Sequence, residues 1–132
     1  MNDWTSDTEP QLLRIFGTTA TVPDIAAAES CYSELLGYRV LERGRIDQAL
    51  AKRWGAPAAA GAAFCTLHPE NDDDVFIRLI EAPAVPDYSP LTSFGWTAFE
   101  IIVDDVYGLA DRLDASPFRH LAGPRPLPFM PS

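Results

Sequence analysis

The sequence has few of the residues that build metal centres, membrane anchors or nucleic-acid surfaces. It contains 2 histidines and 2 cysteines in 132 residues, and its 10 basic residues are outnumbered by 19 acidic ones. The resulting net charge of −9 argues against a nucleic acid or an anionic membrane as partner. No apolar run approaches the roughly 20 residues of a membrane helix. The first residues lack the basic and apolar parts of a signal peptide, so we expect a cytoplasmic protein with no nucleic-acid and no membrane partner.

What the sequence does contain is typical of one globular domain. Hydrophobic residues make up 47 % of the chain and charged residues 22 %, and a chain of this length can bury a core without disulfides. Cys31 and Cys65 occur in apolar contexts on different predicted elements, with no Cys-x-x-Cys motif. We therefore expect two buried free thiols.

One stretch of the chain is repeated approximately 81 positions later. Val22, Asp24 and Ile25 correspond to Val103, Asp105 and Val106 after this shift. In both copies the aspartate suits the N-cap of a helix, since its carboxylate accepts from the free amide groups of the first turn. Apolar residues then recur at helical spacing in each copy. The period indicates two copies of one structural unit.

The remaining pattern predicts a strand, a helix and three strands in the first copy. The predicted strands are 12–22, 38–45, 62–68 and 75–81, and the predicted helices are 24–36 and 47–54. The second copy continues only with a strand over 96–103, a helix over 105–115 and a strand over 118–122. Gly37 suits the left-handed position at which the first helix ends.

Four segments of the sequence resemble those of a known protein family. They are T-V-P-D-I and C-Y-S-E-L-L-G-Y-R-V in the first copy, and F-E-I-I-V-D-D-V and L-A-D-R-L in the second. The chain resembles the vicinal oxygen chelate superfamily, which includes glyoxalases, bleomycin resistance proteins and extradiol dioxygenases. The resemblance implies an α+β fold in which tandem βαβββ units form a curved mixed-sheet cup, here with a truncated second unit. The expected organisation is a flexible N-terminus 1–11, a first unit 12–82, a linker 83–94, the start of a second unit 95–122 and a Pro-rich tail 123–132.

In the family that the chain resembles, the two half-cups surround a divalent metal ion. The resemblance assigns the metal-ligand positions of this chain to Gly17, Arg78 and Ala98. Glycine and alanine offer no side-chain donor, and a guanidinium is a permanent cation. We therefore expect no metal and no cofactor, with a divalent metal as the alternative. His68 and His120 are expected at a surface or in loops.

Strand alternation predicts which side chains line the cup. It places Val75, Ile77 and Leu79 on the helix-covered face and leaves aromatic and polar groups on the other face. The predicted ligand-binding residues are Arg78, Trp96, Phe64, Phe76, Thr19 and Glu100. Glu100 is also the candidate catalytic residue, as a general base or as the partner that orients Arg78. The alternative is that Arg78 and Glu100 form a solvent-exposed ion pair of little energetic value.

Three functions remain open from the sequence. The first is a protein, or a cofactorless enzyme, that binds a small aromatic or anionic molecule through Arg78. The second is a metal-dependent lyase or dioxygenase with ligands partly outside this chain, and the third is a non-catalytic structural dimer module. A truncated second unit leaves a sheet edge open, so we expect a homodimer or a further segment of chain to cover it.

Overall fold

The computed structural model describes residues 14–71, 74–89, 91–92 and 94–126. The expected flexible N-terminus 1–11, the first two residues of the first predicted strand and the end of the Pro-rich tail (127–132) lie outside the described residues.

The described residues form one four-stranded mixed sheet and three α-helices. In chain order the elements are β1 (Gly17–Val22), α1 (Ile25–Leu36), β2 (Tyr38–Arg45), α2 (Gln48–Arg53), a 3-10 turn (Pro57–Ala59), β3 (Ala63–Pro69), β4 (Phe76–Glu81) and α3 (Val106–Asp114). The strand order is β1-β4-β3-β2, with β1 parallel to β4 and the other two pairs antiparallel. This arrangement confirms the α+β class and the βαβββ order of the first unit. No helix in this part of the chain is long and apolar enough to cross a membrane.

Local signals place α1 where the sequence predicts it. The Asp24 carboxylate accepts from the Ala27 amide at 2.9 Å, as an N-cap does. Gly37 ends the helix with a φ of 66°, and its N–H bonds to the Tyr32 carbonyl. Both termini are therefore satisfied by residues of the segment itself.

The main core lies between α1 and one face of the sheet. Its buried residues are Tyr38, Cys65, Leu67, Ile77 and Leu79, and α1 packs Ile25, Ala28, Tyr32 and Leu36 against them. Ile77 and Leu79 thus occupy the helix-covered face, as strand alternation predicts, whereas Val75 precedes β4 and is exposed. Both thiols are free, but only Cys65 is buried, and Cys31, which lies in α1, is half-buried. Burial raises the pKa of the Cys65 thiol.

A second, smaller core covers part of the opposite face. Ile46, Ala51 and Ile80 are its buried residues. They bring α2 and the 3-10 turn onto the end of the sheet where β3 begins and β4 ends. Asp47 caps α2 by accepting from the Leu50 amide at 2.7 Å. The segment between β2 and β3 therefore fills one end of the face opposite α1 and leaves the other end open.

The prediction of two strands in the second unit is wrong. Residues 96–103 and 118–122 contain no strand pairing in the described structure. Phe99 and Ile101 pack against the main core, whereas Trp96 and Ile102 are 98 % and 99 % exposed. Half-buried and exposed residues therefore alternate here as they do along a strand, but alternation alone does not supply the hydrogen-bonded neighbour that makes a strand.

Local hydrogen bonding explains why residues 118–122 do not form the predicted strand. The Ser116 hydroxyl donates to the Leu113 carbonyl at 2.7 Å and accepts from the Phe118 amide at 3.1 Å. Such side-chain hydrogen bonds offer the backbone an alternative to the hydrogen bonds between strands of a sheet. The Phe118 ring then meets the Tyr32 ring edge-on, with centroids 6.3 Å apart. The predicted helix of this half is confirmed as α3, with Asp105 as its N-cap.

Candidate ligand-binding site

A row of polar side chains crosses the sheet on the face opposite α1, which we call the cup face. Thr19 of β1 is the register partner of Arg78 in β4, and Arg78 is the partner of Thr66 in β3. Thr66 in turn pairs with Glu42 of β2, just after a β-bulge. Directly paired residues point to the same face of a sheet. Four polar side chains are therefore neighbours in one line, with a single cation among them.

Two glycines make room for the aromatic rings beside this row. A Cβ atom on Gly17 would lie 2.5 Å from the ring of Phe76, and one on Gly44 would lie 2.9 Å from the ring of Phe64. Real Cβ atoms do not approach other atoms so closely, so each ring occupies space that a larger residue would need. Phe76 and Phe64 consequently lie low over the sheet, one on each side of the polar row.

The guanidinium of Arg78 lies among three aromatic rings. Its Cζ atom is 5.3 Å from the ring centroid of Phe76, 5.5 Å from that of Trp54 and 5.9 Å from that of Phe64. All three distances fall within the range of cation–π attraction. Trp54 was missed by sequence reasoning because it lies at the C-cap of α2 and not on a strand. Strand alternation therefore gives no signal for it.

Part of this polar row is buried without a hydrogen-bond partner. Among the described residues, Arg78 Nε and Thr66 Oγ1 are both enclosed and unpaired. A buried donor or acceptor that is left unpaired costs about 1–3 kcal/mol, and more when the group is charged. Arg78 as a whole is only half-buried, so other atoms of the side chain reach the surface. The cup face therefore holds a cation that forms no ion pair with an acidic group in the described structure.

The predicted site residues divide between the two faces of the molecule. Arg78, Phe64 and Phe76 lie together on the cup face, with Thr19 beside them in register. Trp96 is 98 % exposed and takes no part in the aromatic cage. Glu100 is exposed, and no ion pair joins it to Arg78 in the described structure. In the described structure neither Trp96 nor Glu100 reaches Arg78, because residues 96–103 do not join the sheet.

Glu100 instead borders a groove of about 710 Å³ beside the main core. The groove lies between the start of the sheet, the end of α1 and the segment 99–103. Its lining residues are Ile15, Phe16, Gly17, Thr18, Leu36, Gly37, Tyr38, Pro69, Glu70, Asn71, Val75, Phe76, Ile77, Phe99, Glu100, Ile101, Ile102 and Val103. None of these residues is cationic, and apart from Glu70, Asn71 and Glu100 the wall is nearly apolar. The groove holds no cation, whereas the cup face holds the unpaired charge, and we therefore place the candidate site on the cup face.

The residues at the expected metal-ligand positions do not fit a metal ion. Gly17 has no donor, and the Phe76 ring occupies the space where a side chain at this position would begin. Arg78 brings a positive charge, which repels a metal ion, and Ala98 is an exposed alanine. No group of three or more His, Cys, Asp or Glu residues that could hold a metal is found in the part of the chain described.

The two histidines lie in different parts of the structure. His68 belongs to β3 and is half-buried, with Nδ1 2.9 Å from the Pro69 carbonyl oxygen. His120 follows α3, where Nδ1 lies 3.0 Å from an oxygen of Asp114. His68 therefore lies within the strand predicted over 62–68 and is half-buried, not at the open surface or in a loop.

Comparison with known proteins agrees with this fold. The family model described as the Glyoxalase/Bleomycin resistance protein/Dioxygenase superfamily matches residues 14–129. A glyoxalase family protein from Bacillus cereus superimposes with a TM-score of 0.61 at 17 % identity, over 83 % of this chain and 75 % of that one. The trypanothione-dependent glyoxalase I of Leishmania major superimposes with a TM-score of 0.51 at 22 % identity, over 77 % of this chain and 65 % of that one. The chain thus spans less than two thirds of the Leishmania protein. No curated protein sequence matches the chain.

Proposed function

We propose that this chain, which belongs to the glyoxalase, bleomycin resistance protein and dioxygenase superfamily, binds a small anionic aromatic molecule on its cup face without a divalent metal. The proposal starts from the cation that the cup face carries among aromatic rings. The observation that carries the proposal is Arg78, whose guanidinium lies 5.3–5.9 Å from three ring centroids. Its Nε atom is enclosed and has no partner in the described residues.

The physical argument concerns the cost of an unpaired charge. A partly buried guanidinium is stable when an anion pairs with it, and a carboxylate matches its planar fork with two parallel hydrogen bonds. Phe76, Phe64 and Trp54 provide flat apolar surfaces against which an aromatic ring can stack. Together these groups favour a ligand with a negative end and a planar apolar body.

The direct test is calorimetric titration with a panel of aromatic carboxylates, comparing the wild-type protein with Arg78→Met. Methionine keeps much of the side-chain length and removes the charge. Loss of one charge-assisted pair should weaken binding by about 2–4 kcal/mol, or roughly 30- to 1,000-fold. Arg112→Met, an exposed residue of α3, is the charge-matched control and should bind as the wild type does.

The same titrations distinguish the metal-dependent alternative. Each is repeated with added zinc or manganese, and the metal content of the purified protein is measured by elemental analysis. A metal-free binding site should be indifferent to these additions. Binding that requires the metal and ignores Arg78→Met would overturn the proposal in favour of a lyase or dioxygenase with ligands partly outside this chain.

The proposal includes a homodimer, because three large apolar side chains near the start of the second half are almost fully exposed. Phe94, Trp96 and Ile102 expose 98 % or more of their surface. A second copy of the chain could bury these side chains, as interaction surfaces do. Light scattering should show a dimer for the wild type and a monomer for a Trp96→Ser, Ile102→Ser double variant. A wild-type monomer would contradict this part of the proposal.

A further inference from the structure

We infer that His68 is a second anchoring residue of the Arg78 site, and that the preferred ligand is therefore an aromatic carboxylate with a hydroxyl group across the ring. The inference rests on the proposed function. It adds a specificity-determining residue that accepts a hydrogen bond from the far end of the ligand.

The position of His68 follows from strand register. His68 lies two residues beyond Thr66 in β3, and Thr66 is the direct cross-strand partner of Arg78. Residues two apart on a strand share a face and are separated by roughly 7 Å. His68 therefore lies on the cup face, at the open end that the second core does not fill.

The hydrogen bond to Pro69 determines which ring nitrogen of His68 is available. Nδ1 is 2.9 Å from the Pro69 carbonyl oxygen. A carbonyl oxygen can only accept, so Nδ1 must carry the hydrogen. In the neutral imidazole the other nitrogen, Nε2, then has a lone pair and acts as an acceptor. No hydrogen bond to Nε2 is formed within the described residues.

These groups together define a ligand class. Arg78 offers donors to an anion, and His68 offers an acceptor roughly 7 Å further along the strand. Phe76 is two residues from Arg78 on β4 and points to the same face, with its ring lying over Gly17. A flat ring on Phe76, with a carboxylate toward Arg78 and a hydroxyl toward His68, satisfies all three. A ligand that lacks the hydroxyl leaves the histidine acceptor without a ligand donor, and sites built to bind a hydroxyl reject such analogues.

The experiment compares three ligands that differ only in the hydroxyl group. Calorimetry with 4-hydroxybenzoate, 2-hydroxybenzoate and benzoate should show the first binding about 10-fold more tightly than the other two, as expected for one neutral hydrogen bond. The 2-hydroxy isomer has the same composition, but its hydroxyl lies beside the carboxylate and cannot reach His68. It should therefore bind as benzoate does.

Variants then assign the preference to one atom. His68→Leu should remove the preference, so that this variant binds 4-hydroxybenzoate no more tightly than benzoate, whereas His68→Gln, which keeps an acceptor, should retain part of the preference. His120→Leu is the matched control and should leave the preference unchanged, and circular dichroism checks that each variant is folded.

The possible failures are distinguishable. Equal binding of 4-hydroxybenzoate and benzoate, with both dependent on Arg78, overturns the role of His68 and leaves the proposed function intact. A preference that survives His68→Leu, or loss of benzoate binding in that variant, also overturns it. No binding of any of the three ligands overturns both this inference and the aromatic carboxylate as ligand.

Discussion

Each half of the chain contains a helix that is capped by an aspartate, but the two helices differ in what they pack against. Asp24 caps α1 and Asp105 caps α3, each by accepting from the third amide beyond it at 2.9 Å. Both caps have extended backbone angles. However, α1 packs on β2, β3 and β4, whereas α3 has no comparable packing against the described strands. Helix capping is therefore decided locally, while burial depends on having a sheet to pack on.

The largest expected effect is a loss of stability on truncating a leucine, and this loss should differ between the two halves. Leu79 is fully buried under α1, with 0 % of its surface exposed, so Leu79→Ala should lower the free energy of unfolding by about 2–5 kcal/mol. Leu113 is one of the two half-buried leucines of α3, and Leu113→Ala should cost less than about 1 kcal/mol because little of its contact is lost. Urea unfolding followed by circular dichroism measures both. Equal losses would show that α3 belongs to the same cooperative core as the sheet.

A smaller effect is expected from the two capping residues. Asp24→Ala should lower global stability by about 1 kcal/mol, since the Ala27 amide loses its acceptor in a helix that is part of the main core. Asp105→Ala removes the equivalent bond from α3, and it should mainly increase hydrogen exchange within that helix, with little change in the global midpoint. Asp104→Ala, next to the cap and exposed, is the control. Equal effects of the two cap variants on the urea midpoint would contradict the contrast between the halves.

The same contrast shows which features the sequence can predict. The ends of α1, the limits of β2 and the helix-covered face of β4 follow from capping residues, a glycine and alternation, all of which act within a few residues. The strands expected at 96–103 and 118–122 depend on a neighbouring strand, which no pattern inside those segments can specify. The site behaves in the same way. Alternation along β3 and β4 brings Phe64, Phe76 and Arg78 together, but it misses Trp54, which reaches Arg78 from a helix end.

The smallest expected effect concerns an ion pair that fastens α1 to the sheet. Arg43 of β2 donates two hydrogen bonds to Glu29 of α1, from Nε at 2.8 Å and from a terminal nitrogen at 2.6 Å. These bonds to Arg43 lower the pKa of the Glu29 carboxyl below its ordinary value of 4.5, although burial partly opposes the shift. The only ion pair of α3 in the described residues is the local one between Asp114 and His120.

A folded-state pKa below the unfolded one fixes the direction of the pH dependence. The stabilisation from Glu29 is present above its ordinary pKa and is lost as the pH falls through the lowered folded value. Glu29→Gln should therefore lower the urea midpoint slightly at pH 7, and this difference should shrink as the pH is lowered through the acidic range. Because Arg43 is solvent-exposed, the difference should be smaller than that of either cap variant. Glu34→Gln, at an exposed residue of the same helix, is the matched control. If Glu29→Gln and Glu34→Gln behave alike from pH 3.5 to pH 7, the ion pair contributes nothing to holding α1 on the sheet, and apolar packing alone distinguishes it from α3.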